Sequence, residues 1–142
     1  MHGSSEIVET EQAIVDAFAL FDDWTDRYQY IIDLGRKLPD FPEEWKTEDN
    51  RLHGCQSQVW MVPEEADGRL KFHATSDSAI VSGLIALLLK VYSDRRPEDI
   101  VNTPPEFVSE IDLDKHLSPT RSNGLGAMIQ KIRQLAAEAA AH

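Results

Sequence analysis

The fold is decided by residues 59–76, which read Val-Trp-Met-Val-Pro-Glu-Glu-Ala-Asp-Gly-Arg-Leu-Lys-Phe-His-Ala-Thr-Ser. The first few residues of this stretch are strand formers, and near its end apolar residues alternate with polar or charged ones. Between the two parts stands Asp67-Gly68, a dipeptide typical of tight turns. The stretch therefore predicts a β-hairpin.

The segment after the hairpin predicts a buried central helix. Ser76 or Asp77 is expected to cap it, and it continues to about Tyr92. Its apolar residues lie on nearly every side, as in a helix that the core surrounds. Gly83 inside this helix costs about 1 kcal/mol relative to alanine, so we expect close packing against the hairpin in compensation.

Further helices and one more strand complete the predicted fold. Apolar side chains recur at helical spacing twice in the first 40 residues, and Asp22 or Asp23 is expected to cap the second of these helices. A last helix is expected after Ser122 or Asn123. A short strand around Arg51–His53 is expected to join the hairpin. The fold class is therefore α+β, with a small antiparallel sheet of about three strands and helices packed on one face.

The length and composition indicate one domain that spans residues 1–142. Residues 1–8 are expected to be disordered or vector-derived. The single cysteine cannot form an internal disulfide, which suits a reducing compartment. No signal peptide and no apolar run of membrane-spanning length is visible, so we expect a soluble cytoplasmic protein.

The charge excludes some classes of partner. The net charge is −11, from 14 basic and 25 acidic side chains, and residues 1–49 carry −9 of it. Such a surface repels nucleic acid and anionic membranes, so neither is an expected partner. A protein with a basic face is a better candidate, although an excess of acids also serves solubility alone.

The residue best suited to chemistry is Cys55. A lone cysteine often packs as a small hydrophobic residue. Here, however, Gly54 permits a tight bend, and the polar run Gln56-Ser57-Gln58 is ill suited to a core. We therefore expect Cys55 at the tip of a loop between two short strands, where its thiol can reach a partner.

The surrounding residues resemble a known family. Residues 54–60, Gly-Cys-Gln-Ser-Gln-Val-Trp, closely resemble the signature of SufE-type (SufE/CsdE) sulfur acceptors of iron–sulfur cluster assembly. Other blocks look like the same family and occur in its order, over roughly residues 12 to 137. They are Tyr28-Gln-Tyr-Ile-Ile-Asp-Leu-Gly35, Ser76-Asp-Ser-Ala-Ile-Val81, Gly83-Leu-Ile85, Asp99-Ile-Val-Asn102 and His116-Leu-Ser-Pro-Thr-Arg-Ser122. The resemblance implies the fold that this family shares with IscU-like scaffold proteins.

The resemblance also implies a function. A SufE-type protein stimulates a SufS-type cysteine desulfurase, accepts its sulfur on a cysteine as a persulfide, and delivers it to a SufBCD-type scaffold. Cys55 would be that site, resting in an apolar shelter and swinging out on docking. No cofactor of its own is implied, since pyridoxal phosphate belongs to the desulfurase. The chain would act as a carrier rather than a stand-alone enzyme, and as a monomer or homodimer.

Three residues are candidates for supporting roles beside Gly54 and Gln56 of the motif. Arg121 would favour the thiolate or steady the loop, or it is an ordinary surface arginine. His116 is either a proton acceptor or a loop residue with a satisfied hydrogen bond. Asp77 is most simply a helix cap, and proximity to a partner surface is its second interpretation.

Three rival interpretations stay open at this stage. Cys55 with His116 and an aspartate has the residue types of a thiol hydrolase, although nothing local marks an oxyanion hole. Cys55, His53, His73 and His116 could bind a metal, although their spacing is not dense. The third is an interaction module that uses no thiol chemistry.

Overall fold

The computed structural model describes residues 2–141, and it describes side chains from residue 6 onward. Within these residues it contains seven α-helices, two β-strands and two 3₁₀ turns. The elements are α1 (His2–Ala19), α2 (Trp24–Arg36), the 3₁₀ turns Glu43–Trp45 and Glu48–Asn50, β1 (Val59–Ala66), β2 (Arg69–Ser76), α3 (Ala79–Tyr92), α4 (Pro97–Val101), α5 (Glu106–Glu110), α6 (Leu113–His116) and α7 (Pro119–Ala140). None of these helices combines the length and apolar composition needed to span a membrane.

The predicted hairpin is present. β1 and β2 pair antiparallel, with Val59 opposite Ser76 and Ala66 opposite Arg69. Asp67 and Gly68 both have positive φ angles, 56° and 77°, as a tight two-residue hairpin turn requires. The buried side chains of the two strands lie on one face, which the helices cover, and this confirms the α+β class. They are Val59, Met61, Leu70, Phe72 and Ala74.

The predicted third strand is wrong, because in the described residues the sheet has two strands. Arg51 forms only an isolated antiparallel bridge with Trp60. Beyond this point the chain bends, and Gly54 has a φ of 95° in the left-handed region. The segment Arg51–His53 therefore leaves the sheet after one bridge and becomes the start of a loop.

The start of α3 also differs from the prediction. Its N-cap is Ser78, whose Oγ accepts a hydrogen bond from the backbone N–H of Val81 at 3.3 Å. Neither Ser76 nor Asp77 caps the helix. The Asp77 carboxylate is engaged elsewhere, because its Oδ1 accepts the backbone N–H of Gln58 at 3.0 Å.

The two ends of the chain are more helical than expected. Residues 1–8 were expected to be disordered, but α1 begins at His2 and Ile7 is fully buried in the core; Met1 lies outside the described residues. Ile7 extends the apolar stripe of α1 by two turns. The last helix, α7, begins at Pro119 with Ser118 as its N-cap, and not after Ser122 or Asn123, since proline suits the first helical position.

The closest backbone contact joins α3 to α2, not to the hairpin. A Cβ atom added at Gly83 would overlap the backbone oxygen of Ile31, and one added at Gly35 would lie 2.6 Å from the Gly83 nitrogen. Real side chains do not tolerate such separations. The two glycines therefore let α2 and α3 pack backbone to backbone, and α3 also contacts β2, α1 and α7.

A Gly83→Ala substitution tests this contact. The added methyl group overlaps the α2 backbone, which cannot give way as a flexible side chain would. We expect the free energy of unfolding in urea to fall by about 1–3 kcal/mol. Gly126→Ala in α7 is the matched control, because a Cβ there meets no atom within 4 Å. If the two variants are equally stable, the proposed backbone contact is wrong.

Candidate functional site

Cys55 lies in a loop whose two ends are held by hydrogen bonds. We call residues 52–58 the cysteine loop. At its base the N–H of Leu52 donates to the carbonyl of Val59 at 2.8 Å. Near its far end Gln58 and Asp77 bond reciprocally, since the Gln58 N–H donates to the Asp77 carboxylate and the Asp77 N–H donates to the Gln58 carbonyl at 3.3 Å. Asp77 therefore braces the cysteine loop.

The thiol of Cys55 points toward α7. The positive φ of Gly54 turns the chain just before it, and the side chain becomes half-buried while Gln56 stays exposed. The Sγ atom lies 3.8 Å from the carbonyl oxygen of Gly124. A Cβ atom at Gly124 would lie 3.5 Å from the same sulfur. A helix residue without a side chain thus provides the space that the thiol occupies.

The sulfur adjoins a pocket of about 310 Å³ between the cysteine loop, α3 and α7. We call it the cysteine pocket. Its apolar side consists of Val81, Leu84, Leu125 and Met128, and its polar side consists of Gln56, Ser57, Ser118, Thr120 and Arg121. The polar side surrounds the N-terminus of α7, where the helix dipole favours negative charge.

Burial raises the pKa of the Cys55 thiol above its ordinary value. The resting sulfur is therefore less often ionised at neutral pH than an exposed cysteine, and less nucleophilic. Arg121 lies in the first turn of α7 and lines the same pocket, but its exposed side chain forms no ion pair with any described side chain. Its charge is available to a group that enters the pocket.

His116 is held away from this pocket. Its ring stacks on Trp24, with 3.9 Å between centroids and 15° between planes. Its Nδ1 lies 2.9 Å from the carbonyl oxygen of Asp112, and its own carbonyl accepts the Tyr28 hydroxyl. The structure therefore gives His116 packing partners and does not bring it to Cys55 as a proton acceptor.

The histidines of the metal hypothesis are also separate. The His53 ring pairs with Glu48 at 3.2 Å, and the His73 ring pairs with Glu64 at 2.8 Å. Among the residues that the structure describes, no three His, Cys, Asp or Glu side chains are grouped to hold a metal ion.

Comparison with known proteins identifies the family. The family model for SufE, described as an Fe-S metabolism associated domain, matches residues 12–136. The chain belongs to the SufE family. Membership gives it a role in iron–sulfur metabolism.

Two SufE-like relatives come from rhizobia. The protein of Rhizobium meliloti strain 1021 is 42% identical over 125 residues, which cover 84% of this chain and 89% of the relative. The protein of Rhizobium etli is 41% identical over 126 residues and covers 85% of each chain. A solution structure of a hypothetical protein from Thermus thermophilus has a TM-score of 0.77 at 20% identity, covers 94% of this chain and 97% of its own, and shows the same fold.

The sequence interpretation of this SufE-family chain missed Gly124, Ser118 and Thr120. The last two carry no signal beyond their polarity. Gly124 does carry one, because a glycine inside a helix costs about 1 kcal/mol relative to alanine and so suggests a close contact. What the sequence cannot show is that the contact is Cys55, 69 residues away.

A Gly124→Val variant tests whether this glycine shelters the thiol. The branched side chain extends into the space of Sγ, so we expect Cys55 to move outward and its iodoacetamide alkylation to become severalfold faster. Because burial then no longer raises the thiol pKa, the pH profile of alkylation should shift to lower pH.

Gly126→Val is the control for this variant. It makes the same substitution in the same helix, but at a position with no atom within 4 Å of the added Cβ. Its alkylation should match that of the wild type. An unchanged or slower rate for Gly124→Val would show that Gly124 does not govern the exposure of Cys55.

Proposed function

We propose that this protein is a sulfur acceptor and carrier, which holds transferred sulfur on Cys55 as a persulfide. The observation that carries the proposal is the position of the sulfur atom. It lies at the edge of a 310 Å³ pocket, in a loop held at both ends and bent by a glycine between them. This pocket has room for an additional sulfur atom, and membership of a family of iron–sulfur metabolism supports the assignment.

The transfer is a thiol exchange that needs no external oxidant. The donor is a persulfide on the active-site cysteine of a desulfurase. The Cys55 thiolate attacks the terminal sulfur of that persulfide, and a new bond forms between this sulfur and Sγ. The sulfur–sulfur bond of the donor breaks, and the donor cysteine leaves as a thiolate. The proton of the Cys55 thiol goes to solvent.

The resting geometry makes Cys55 slow without a partner. Its thiol is half-buried and its pKa is raised by burial, so the attacking thiolate is scarce. Docking of the desulfurase therefore has to draw the cysteine loop away from α7 before two sulfur atoms can meet. The middle of the loop is suited to this movement, because Gly54 and Gln56 are exposed.

The cysteine pocket is suited to hold the product. A persulfide ionises more readily than a thiol, so the returning group carries a negative charge. The N-terminus of α7 favours such a charge, and Arg121 supplies a cation with no described ion-pair partner. These groups stabilise the charged persulfide, whereas the apolar side of the pocket limits its access to oxidants.

The proposal names partners and assigns the chain no resident cofactor. The donor is a SufS-type cysteine desulfurase, which the carrier stimulates by removing its sulfur, and the acceptor is a SufBCD-type scaffold. Pyridoxal phosphate belongs to the desulfurase. A single cysteine cannot supply the thiolate ligands of an iron–sulfur cluster, so the cluster is assembled elsewhere.

Intact mass spectrometry under non-reducing conditions tests the function. The protein is mixed with a SufS-type desulfurase and L-cysteine, and we expect its mass to rise by one sulfur atom. The Cys55→Ser variant should gain none, because its hydroxyl cannot form a persulfide. Omission of L-cysteine is the second control. Sulfur on the Ser variant, or none on the wild type, would contradict the proposal.

A further inference from the structure

A second cavity lies on another side of α3 from the cysteine pocket. It has a volume of about 440 Å³ and is bounded by the end of α2, the segment that follows it, β2 and the last turns of α3. We call it the lysine-rimmed groove. Its apolar wall is formed by Leu34, Leu38, Phe41, Phe72, Ala86 and Leu89.

The rim of this groove is basic, unlike the chain as a whole. Lys37 at the end of α2, Lys71 on β2 and Lys90 on α3 all line it, and Asp40 is the one acid among its described lining residues. Lys71 interacts with Glu64, whereas Lys37 and Lys90 form no ion pair with any described side chain. Three cations from three elements thus converge in a protein of net charge −11.

These properties define a ligand class. The volume falls within the roughly 300–1,000 Å³ of small-molecule sites, where apolar walls bind the body of a ligand and a few polar groups orient it. The ammonium groups of Lys37 and Lys90 call for an anionic head. A large acidic partner would meet repulsion from the rest of the surface, whereas a small ligand with one charge meets the least.

We propose that the lysine-rimmed groove binds a small amphipathic carboxylate, with its apolar chain against the groove wall and its carboxylate between Lys37 and Lys90. This site is independent of Cys55 and of the sulfur-carrier function. Each part of the ligand has a separate role, because burial of the chain supplies binding energy and the carboxylate sets the selectivity.

Three compounds of equal chain length test the ligand class. Decanoate, decan-1-ol and decyltrimethylammonium are titrated below their micelle concentrations into the full chain. Binding is followed by calorimetry and by ¹H–¹⁵N NMR shifts. We expect saturable decanoate binding with shifts concentrated around the groove, at least about tenfold weaker binding of the alcohol, and none of the cation.

A charge-reversed variant tests the site. Lys37→Glu combined with Lys90→Glu should weaken decanoate binding by at least about tenfold, because like charges then face the carboxylate. Both side chains are exposed, so the variant should fold. Lys115→Glu combined with Lys131→Glu makes the same charge change outside the groove and should bind as the wild type does.

The proposal is overturned by any of four results. These are no decanoate binding, equal binding of decanol, equal loss in the two lysine variants, and shifts outside the groove. An acidic apolar peptide that binds the groove when decanoate does not would also overturn it, and would assign the groove to a protein partner.

Discussion

The structure depends on the backbone contact between α2 and α3. Gly35 and Gly83 remove the two side chains that would hold these helices apart, and α3 then lies where it also contacts β2, α1 and α7. Val81 and Leu84, which flank Gly83, form part of the wall of the cysteine pocket. The position of the chemistry is therefore set by a steric constraint in the core.

The cysteine loop combines fixed ends with an inward-turned thiol. The bond from Leu52 to Val59 ties one end to the sheet, and the reciprocal pair of Gln58 and Asp77 ties the other. Between them Cys55 rests against Gly124. An exposed thiolate would react quickly but would also oxidise, whereas a sheltered thiol is protected until a partner moves it. This arrangement reconciles protection with transfer.

The sequence was informative wherever local rules decide the structure. Asp67-Gly68 predicted the hairpin because only a few residue pairs tolerate two positive φ angles. Asp23 was correctly assigned as a cap of α2, since its carboxylate accepts the N–H of Asp26 at 2.9 Å. The position of Cys55 in a loop followed from Gly54 and the polar residues after it.

The errors arose where a distant group competes with a local preference. Asp77 looked like a helix cap, but the N–H of Gln58 engages its carboxylate, and Ser78 caps α3 instead. Gly83 was expected to pack against the hairpin, yet its partner is Ile31 of α2. The shelter of Cys55 on α7 was likewise beyond local patterns, because it depends on a contact between residues far apart in the chain.

The central claim is that a partner draws Cys55 out of its shelter. The most direct measurement is the alkylation rate of Cys55, read by peptide mass spectrometry, with and without a SufS-type desulfurase and in the absence of L-cysteine. An unrelated protein without free thiols serves as the control. The account predicts faster alkylation only with the desulfurase. Equal rates in all three samples would contradict it.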